Sequence, residues 1–130
     1  MTGGCLYKHG GKEYWLVYTA DAYFEIKELY GTEPIERLRA DDRSGYDCAV
    51  GCLLILAREG ELCRRYMGYE PLPMLDEETI RRTVLPDGVV NVKNAVAEAI
   101  FAGMRIANAK KDNQPVDIGL LEFEKKTIPG

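Results

Sequence analysis

At 130 residues, the chain is long enough for one ordinary hydrophobic core and too short for two. Hydrophobic residues make up 46% and charged residues 29%, a globular balance that excludes wholesale disorder. The formal net charge is -4, with 17 basic side chains scattered among 21 acidic ones; such a surface repels phosphate backbones and argues against nucleic acid as the partner.

In chain order, Cys5–His9 and Lys12–Tyr18 read as two strands around the two-residue loop Gly10-Gly11, which places a hairpin over residues 4–18. The loop sets the register: Tyr7 faces Tyr14, Lys8 faces Glu13 and Leu6 faces Trp15. An aromatic pair, an ion pair and an aliphatic–aromatic pair all favour that alignment. A two-stranded hairpin alone is marginal in water, so it packs on helices or extends a sheet in another subunit.

Thr19 then caps a helix with Asp21 in its first turn. Ala22, Ile26, Leu29 and Tyr30 form its apolar stripe, and Gly31 supplies the positive-φ residue that ends it. A helical turn is predicted around Pro34–Leu38, followed by a solvated loop at Asp41-Asp42-Arg43. Ser44-Gly45-Tyr46-Asp47 has the outline of a capping box and opens a helix running at least to Arg58. This helix is apolar nearly all round from Cys48 to Ala57, which marks it as central, and Gly60 breaks or bends it before Leu62–Met67. The segment Gly68–Pro73 is a connector because its prolines exclude regular helix.

Asp76 caps a short helix from Glu77 to about Val84, stopped by Pro86-Asp87-Gly88. Asn91 opens the last long helix, roughly Val92 to Lys110. One stripe of this helix is large (Val92, Val96, Ile100, Met104) and its neighbour is small (Ala95, Ala99, Gly103, Ala107). Small residues at every fourth position admit close helix approach. Packing on the Cys48–Ala57 helix within one subunit is the first reading, and a subunit contact through Ala95, Ala99 and Gly103 the second. Beyond Lys111 the chain turns polar around a short apolar peptide, Leu120-Leu121-Glu122-Phe123, so residues 111–130 read as a mobile tail. The fold class is α+β, mostly α. An N-terminal hairpin packs on a compact bundle of about four to five helices, making residues 1–110 one globular domain.

The residues offer little for catalysis. His9 is the single histidine and reads as an exposed turn residue, with no nucleophile elbow or catalytic-cysteine signature beside it. Asp41-Asp42 and Glu77-Glu78 are adjacent carboxylates that point apart, and no phosphate-cradling glycine motif occurs. Cys48 and Cys52, four apart on a helix, do not suit a disulfide. Without close-set CxxC knuckles, the four cysteines read as small buried hydrophobes, with no metal and no cofactor. Arg64-Arg65 and Arg81-Arg82 read as solvated helix faces or rim salt bridges. No signal peptide is visible, and the longest uncharged run, Cys48–Ala57, falls well short of the ~18 apolar residues of a membrane span. These features point to the cytosol and to a protein that binds protein, with the pair Tyr7 and Tyr14 as further interface candidates.

The segment Lys12–Gly31, KEYWLVYTADAYFEIKELYG, resembles the tail assembly chaperones of long-tailed bacteriophages. In that family a hairpin strand, here Glu13–Tyr18, runs into an acidic, aromatic helix ending in Tyr-Gly, here Asp21–Gly31, and Ile35 and Leu38 continue the pattern. The resemblance covers about a quarter of the chain, within a single domain of ordinary size. It implies a non-enzymatic protein of the host bacterial cytoplasm. Such a protein coats the tape measure protein, keeps it soluble and helps recruit tail tube protein. The residues themselves, apart from the resemblance, lead to the expectation of self-association through the hairpin edge or the Ala95–Ala107 stripe, with Leu120, Leu121 and Phe123 of the tail as further contact residues. Two other classes fit the same residues: a head–tail connector or completion protein of the phage particle, and a small cytosolic adaptor.

Overall fold

Strands β1 (Gly4–His9) and β2 (Lys12–Val17) form an antiparallel hairpin with Tyr7 opposite Tyr14, Lys8 opposite Glu13 and Leu6 opposite Trp15. The computed structural model describes residues 4–112, with side chains as far as residue 104. Gly10 and Gly11 both have positive φ, 59° and 78°, the backbone twist that a two-residue hairpin loop requires and that glycine adopts without a Cβ penalty. Helices α1 (Ala20–Tyr30), α2 (Pro34–Leu38), α3 (Arg43–Tyr66), α4 (Glu77–Thr83) and α5 (Val89–Asp112) follow, with a 3-10 turn at Pro86–Gly88 leading into the last. The α+β, mainly helical architecture is the one expected.

Helix α3 is the centre of the molecule. It contacts β2, α1, α2, α4 and α5, and Cys48, Ala49, Val50, Cys52, Leu53 and Leu56 on it are fully buried. Its burial nearly all round explains why the sequence there is apolar without a clean stripe. The hairpin lies across this core, with β2 on α3 and β1 on α5. Leu16 therefore has no exposed surface, although the hairpin alone would be marginal.

Two expectations about α3 are corrected. Its N-cap is Asp42, whose carboxylate accepts the Gly45 N–H at 3.1 Å and the Ser44 hydroxyl at 2.7 Å. Ser44 is already helical, so the capping-box reading was two residues late and Asp42 is not simply loop. The helix also runs unbroken through Gly60. That glycine is a site of close approach: a Cβ there would lie 1.9 Å from the Trp15 carbonyl oxygen. The helix-forming residues on both sides carry the helix through it, while its missing side chain lets β2 pack directly on the helix.

Other elements differ in detail. The Pro86–Gly88 turn stops α4 and also starts α5 three residues before Val92, because Pro86 pre-sets a helical φ. On α1, Ala22 and Ile26 are buried, but Leu29 is 56% exposed since α2 and α3 cover only one side of the helix. On α5, Val92, Val96 and Ile100 are buried while Met104 lies outside the core. Gly103 meets the hairpin: its Cβ would fall 2.9 Å from Tyr18 Cβ. The small-residue stripe thus serves contacts within the chain, against α3 and against the exit of β2.

Candidate protein-docking surface

The corner between β2 and α1 is fixed by one hydroxyl. Thr19 Oγ1 accepts the Ala22 N–H at 3.1 Å, capping α1, and donates to Glu59 Oε1 at 2.7 Å. Glu59 is buried, and its other oxygen receives Arg58, which also reaches Glu25 on α1 at 2.6 Å. Bonding to Arg58 holds the Glu25 carboxyl below its ordinary range. The angle of α1 to the hairpin is thereby set by groups on α3.

The connector after α3 is fixed by Glu61. This buried carboxylate accepts the Leu72 N–H at 2.7 Å, Arg65 Nε at 2.9 Å and Arg64 at 2.8 Å. Burial opposes its charge, but the Leu72 N–H and the two guanidinium groups outweigh that and hold it below the usual carboxylate range. Arg64 and Arg65 donate in turn to the Glu70 and Leu72 carbonyls. They are therefore fasteners of the connector and not merely a solvated face, and the three-fold satisfaction of Glu61 is what allows a charge to be buried.

Held in this way, residues 72–75 form a ridge with a groove on each side. One groove, about 830 Å³, lies between the ridge and β2, with Tyr14, Trp15, Ala57 and Leu72 among its lining residues. The other, about 590 Å³, lies between the ridge and α1 and has Leu29, Leu54 and Ile55 along it. Met74 and Leu75 belong to both. Two ion-pair clusters rim the second groove: Arg58 with Glu25 and Glu59, and Arg81 with Asp47 at 3.0 Å and Glu77 at 2.7 Å. Their charges are satisfied within the chain, so what the groove offers a ligand is its apolar surface.

Of the interface residues expected from sequence, Tyr14 is the one that lines a groove. Tyr7 is only 8% exposed, and burial, with Tyr14 nearby, raises its phenol. Ala99 is fully buried, and Ala95 packs at the edge of the core. Gly103 faces Tyr18. Tyr7 and Ala99 are core residues as placed here, because they lie where the hairpin and α5 meet. Leu120, Leu121 and Phe123 lie outside the described residues, as does the side chain of Ala107. Sequence reasoning missed Leu29, Leu72, Met74 and Leu75. The available signal was an apolar Leu-Pro-Met-Leu run inside a connector, where solvated loops are normally polar.

His9 is not simply an exposed turn residue. Its ring stacks on Tyr7 with centroids 5.9 Å apart. The Thr83 hydroxyl donates to the Thr79 carbonyl, so it accepts from His9 Nε2 at 2.6 Å, while Tyr7 Oη lies within hydrogen-bond distance of Nδ1, at 3.3 Å. The imidazole joins the hairpin turn to the end of α4. Cys48 and Cys52 are buried with their sulfurs 3.9 Å apart as free thiols, and the Cys52 thiol is pushed up by its bond to Cys48 and by burial. Among the described residues no group of three or more His, Cys, Asp or Glu side chains is placed to hold a metal ion, and no helix is long and apolar enough to cross a membrane. Compared with known families, characterised proteins and solved structures, the chain matches none of them.

Proposed function

We propose that this chain is a tail assembly chaperone of a long-tailed bacteriophage, which binds the tape measure protein non-covalently in the host cytoplasm, keeps it soluble and aids tail tube assembly. The observation that carries the reading is the pair of open grooves flanking residues 72–75, which set the apolar side chains of Leu29, Leu72, Met74 and Leu75 among charged residues such as Glu13, Arg58 and Arg81. The resemblance of Lys12–Gly31 to that family supports it from the sequence. A holdase has to offer apolar area without aggregating. The ion-pair rims and the acidic net charge of -4 suit that requirement. An extended helical client fits an open groove better than a closed cavity, since its apolar side chains recur along one face. The activity needs no catalytic residue and no cofactor.

Co-expression with a tape measure protein from the same phage genome tests the proposal. The wild-type chain is expected to raise the soluble fraction of that protein, and the exposed-groove variant Leu29→Glu/Met74→Glu to lose the effect while remaining folded. Unchanged client solubility with and without the chain rejects the proposal. Detection of the chain in purified virions by mass spectrometry also counts against a chaperone and favours a connector that stays in the particle.

A further inference from the structure

Opposite the side that α5 buries, a second row climbs the helix: Val90, Asn94, Ala97, Phe101 and Met104. Val90, Phe101 and Met104 are 56%, 43% and 40% exposed, and Asn94 is exposed beside them. The steps alternate four and three residues, the repeat of a two-stranded coiled-coil seam. In that register Asn94 and Phe101 take one core position, and Val90, Ala97 and Met104 the other. A lone asparagine in such a seam favours pairing with its own copy, because each amide then finds a partner.

The flanking charges are self-complementary. Lys93 and Glu98 stand on opposite edges of the seam, five residues apart, the spacing at which one parallel helix meets the opposite charge on its twin. Lys93 Nζ is steadied by donating to the Ala40 carbonyl at 2.9 Å, which leaves two further N–H donors on the ammonium group. Glu98 is exposed and makes no ion pair among the described residues. The seam itself is one wall of a groove of about 510 Å³: Val90, Asn94, Phe101 and the half-buried Ala97 line it, opposite Ile35 and Arg39 of the α2 region. An antiparallel twin would bring Lys93 towards Ile100, which is buried, and would leave both charges unmatched.

We propose that the chain forms a parallel homodimer through this outward face of α5, the occupant being the same helix of a second copy, with Lys93 of each facing Glu98 of the other. The inference is independent of what the ridge grooves bind. It also moves self-association away from the small-residue stripe, which the fold uses internally.

Sedimentation velocity across a concentration series tests it on the full chain. The wild type is expected to dimerise, and Phe101→Glu to weaken the dimer at least about tenfold with an unchanged circular dichroism spectrum, since a desolvated charge replaces an apolar contact at an exposed site. Lys93→Glu and Glu98→Lys are each expected to weaken it by about tenfold through like-charge contacts. Their equimolar mixture is expected to recover a heterodimer, because every flanking pair is then opposite in sign. A wild-type monomer at millimolar concentration, a dimer indifferent to Phe101→Glu, or a mixture no tighter than its parents overturns the proposal.

Discussion

Thr19 Oγ1 donates to Glu59 Oε1 at 2.7 Å while accepting the Ala22 N–H at 3.1 Å. One hydroxyl thus caps α1 and ties that cap to α3. Thr19→Ala is expected to cost ~2–3 kcal/mol, the loss of a cap plus a hydrogen bond to a buried carboxylate. Thr19→Ser, which keeps the hydroxyl, is expected to cost under ~1 kcal/mol. Urea unfolding of both variants checks this; equal losses would show that the methyl group matters and the hydroxyl does not.

Gly60 and Gly51 offer a matched comparison on one helix. Alanine is the better helix former at both, by about 1 kcal/mol. At Gly60 the new Cβ would lie 1.9 Å from the Trp15 carbonyl oxygen, which is backbone, so β2 itself would have to move. At Gly51 the nearest atom is the Tyr30 hydroxyl, the far end of a side chain that can swing away. Gly60→Ala is expected to destabilise by ~2 kcal/mol or more and Gly51→Ala to change stability by less than ~1 kcal/mol. Thermal unfolding in which the two shift alike would contradict the packing of β2 on α3.

Stability should fall at both ends of the pH scale, for separate reasons. The Glu61 carboxyl is held below its ordinary range in the fold. Its contribution is complete above ~4.3, the unfolded value, and is lost as pH falls through the lower folded value. Tyr18 is pushed up to about 12 by burial, then by Tyr23 and Cys52. The native state therefore holds that proton more tightly, and stability declines as pH rises from ~10, the unfolded value, towards the folded one. Urea midpoints across pH should show an acid limb flattened by Glu61→Gln and an alkaline limb flattened by Tyr18→Phe. At neutral pH, Glu61→Gln is itself expected to cost ~1–3 kcal/mol, since it weakens three charge-assisted hydrogen bonds.

The thiols should divide by burial. Cys48 and Cys52 have no exposed surface, whereas Cys63 is half-buried. A thiol reagent is expected to leave Cys48 and Cys52 unmodified in the native protein and to reach them only on unfolding. Peptide mapping after a timed native exposure separates the sites, and modification of Cys52 as fast as Cys63 would contradict a tightly packed α3.

The hairpin register was legible because a two-residue loop leaves the strands only one alignment, and Thr19 and Asp76 were legible as caps because capping is local. Asp42 was passed over for Ser44 since both precede the same apolar run; only the geometry at Gly45 distinguishes them. The sequence pattern led to a break at Gly60 because a glycine inside a helix looks the same whether it bends the chain or admits a neighbour. The ridge of residues 72–75 was hidden for a related reason. Its position depends on Glu61, Arg64 and Arg65 finding backbone partners six to eleven residues away, and no periodicity records that.

Glu59, Gly60 and Glu61 are consecutive, and each engages a different segment: the Thr19 corner, the Trp15 backbone and the Leu72 amide. Inserting one residue ahead of them would rotate all three by about 100° around α3 while leaving the helix itself intact. This single turn is therefore where the chain is least able to change length over evolutionary time. Insertions and deletions among its descendants should collect in the loops, and the spacing from Asp42 to Glu61 should stay fixed even where the residues between them drift.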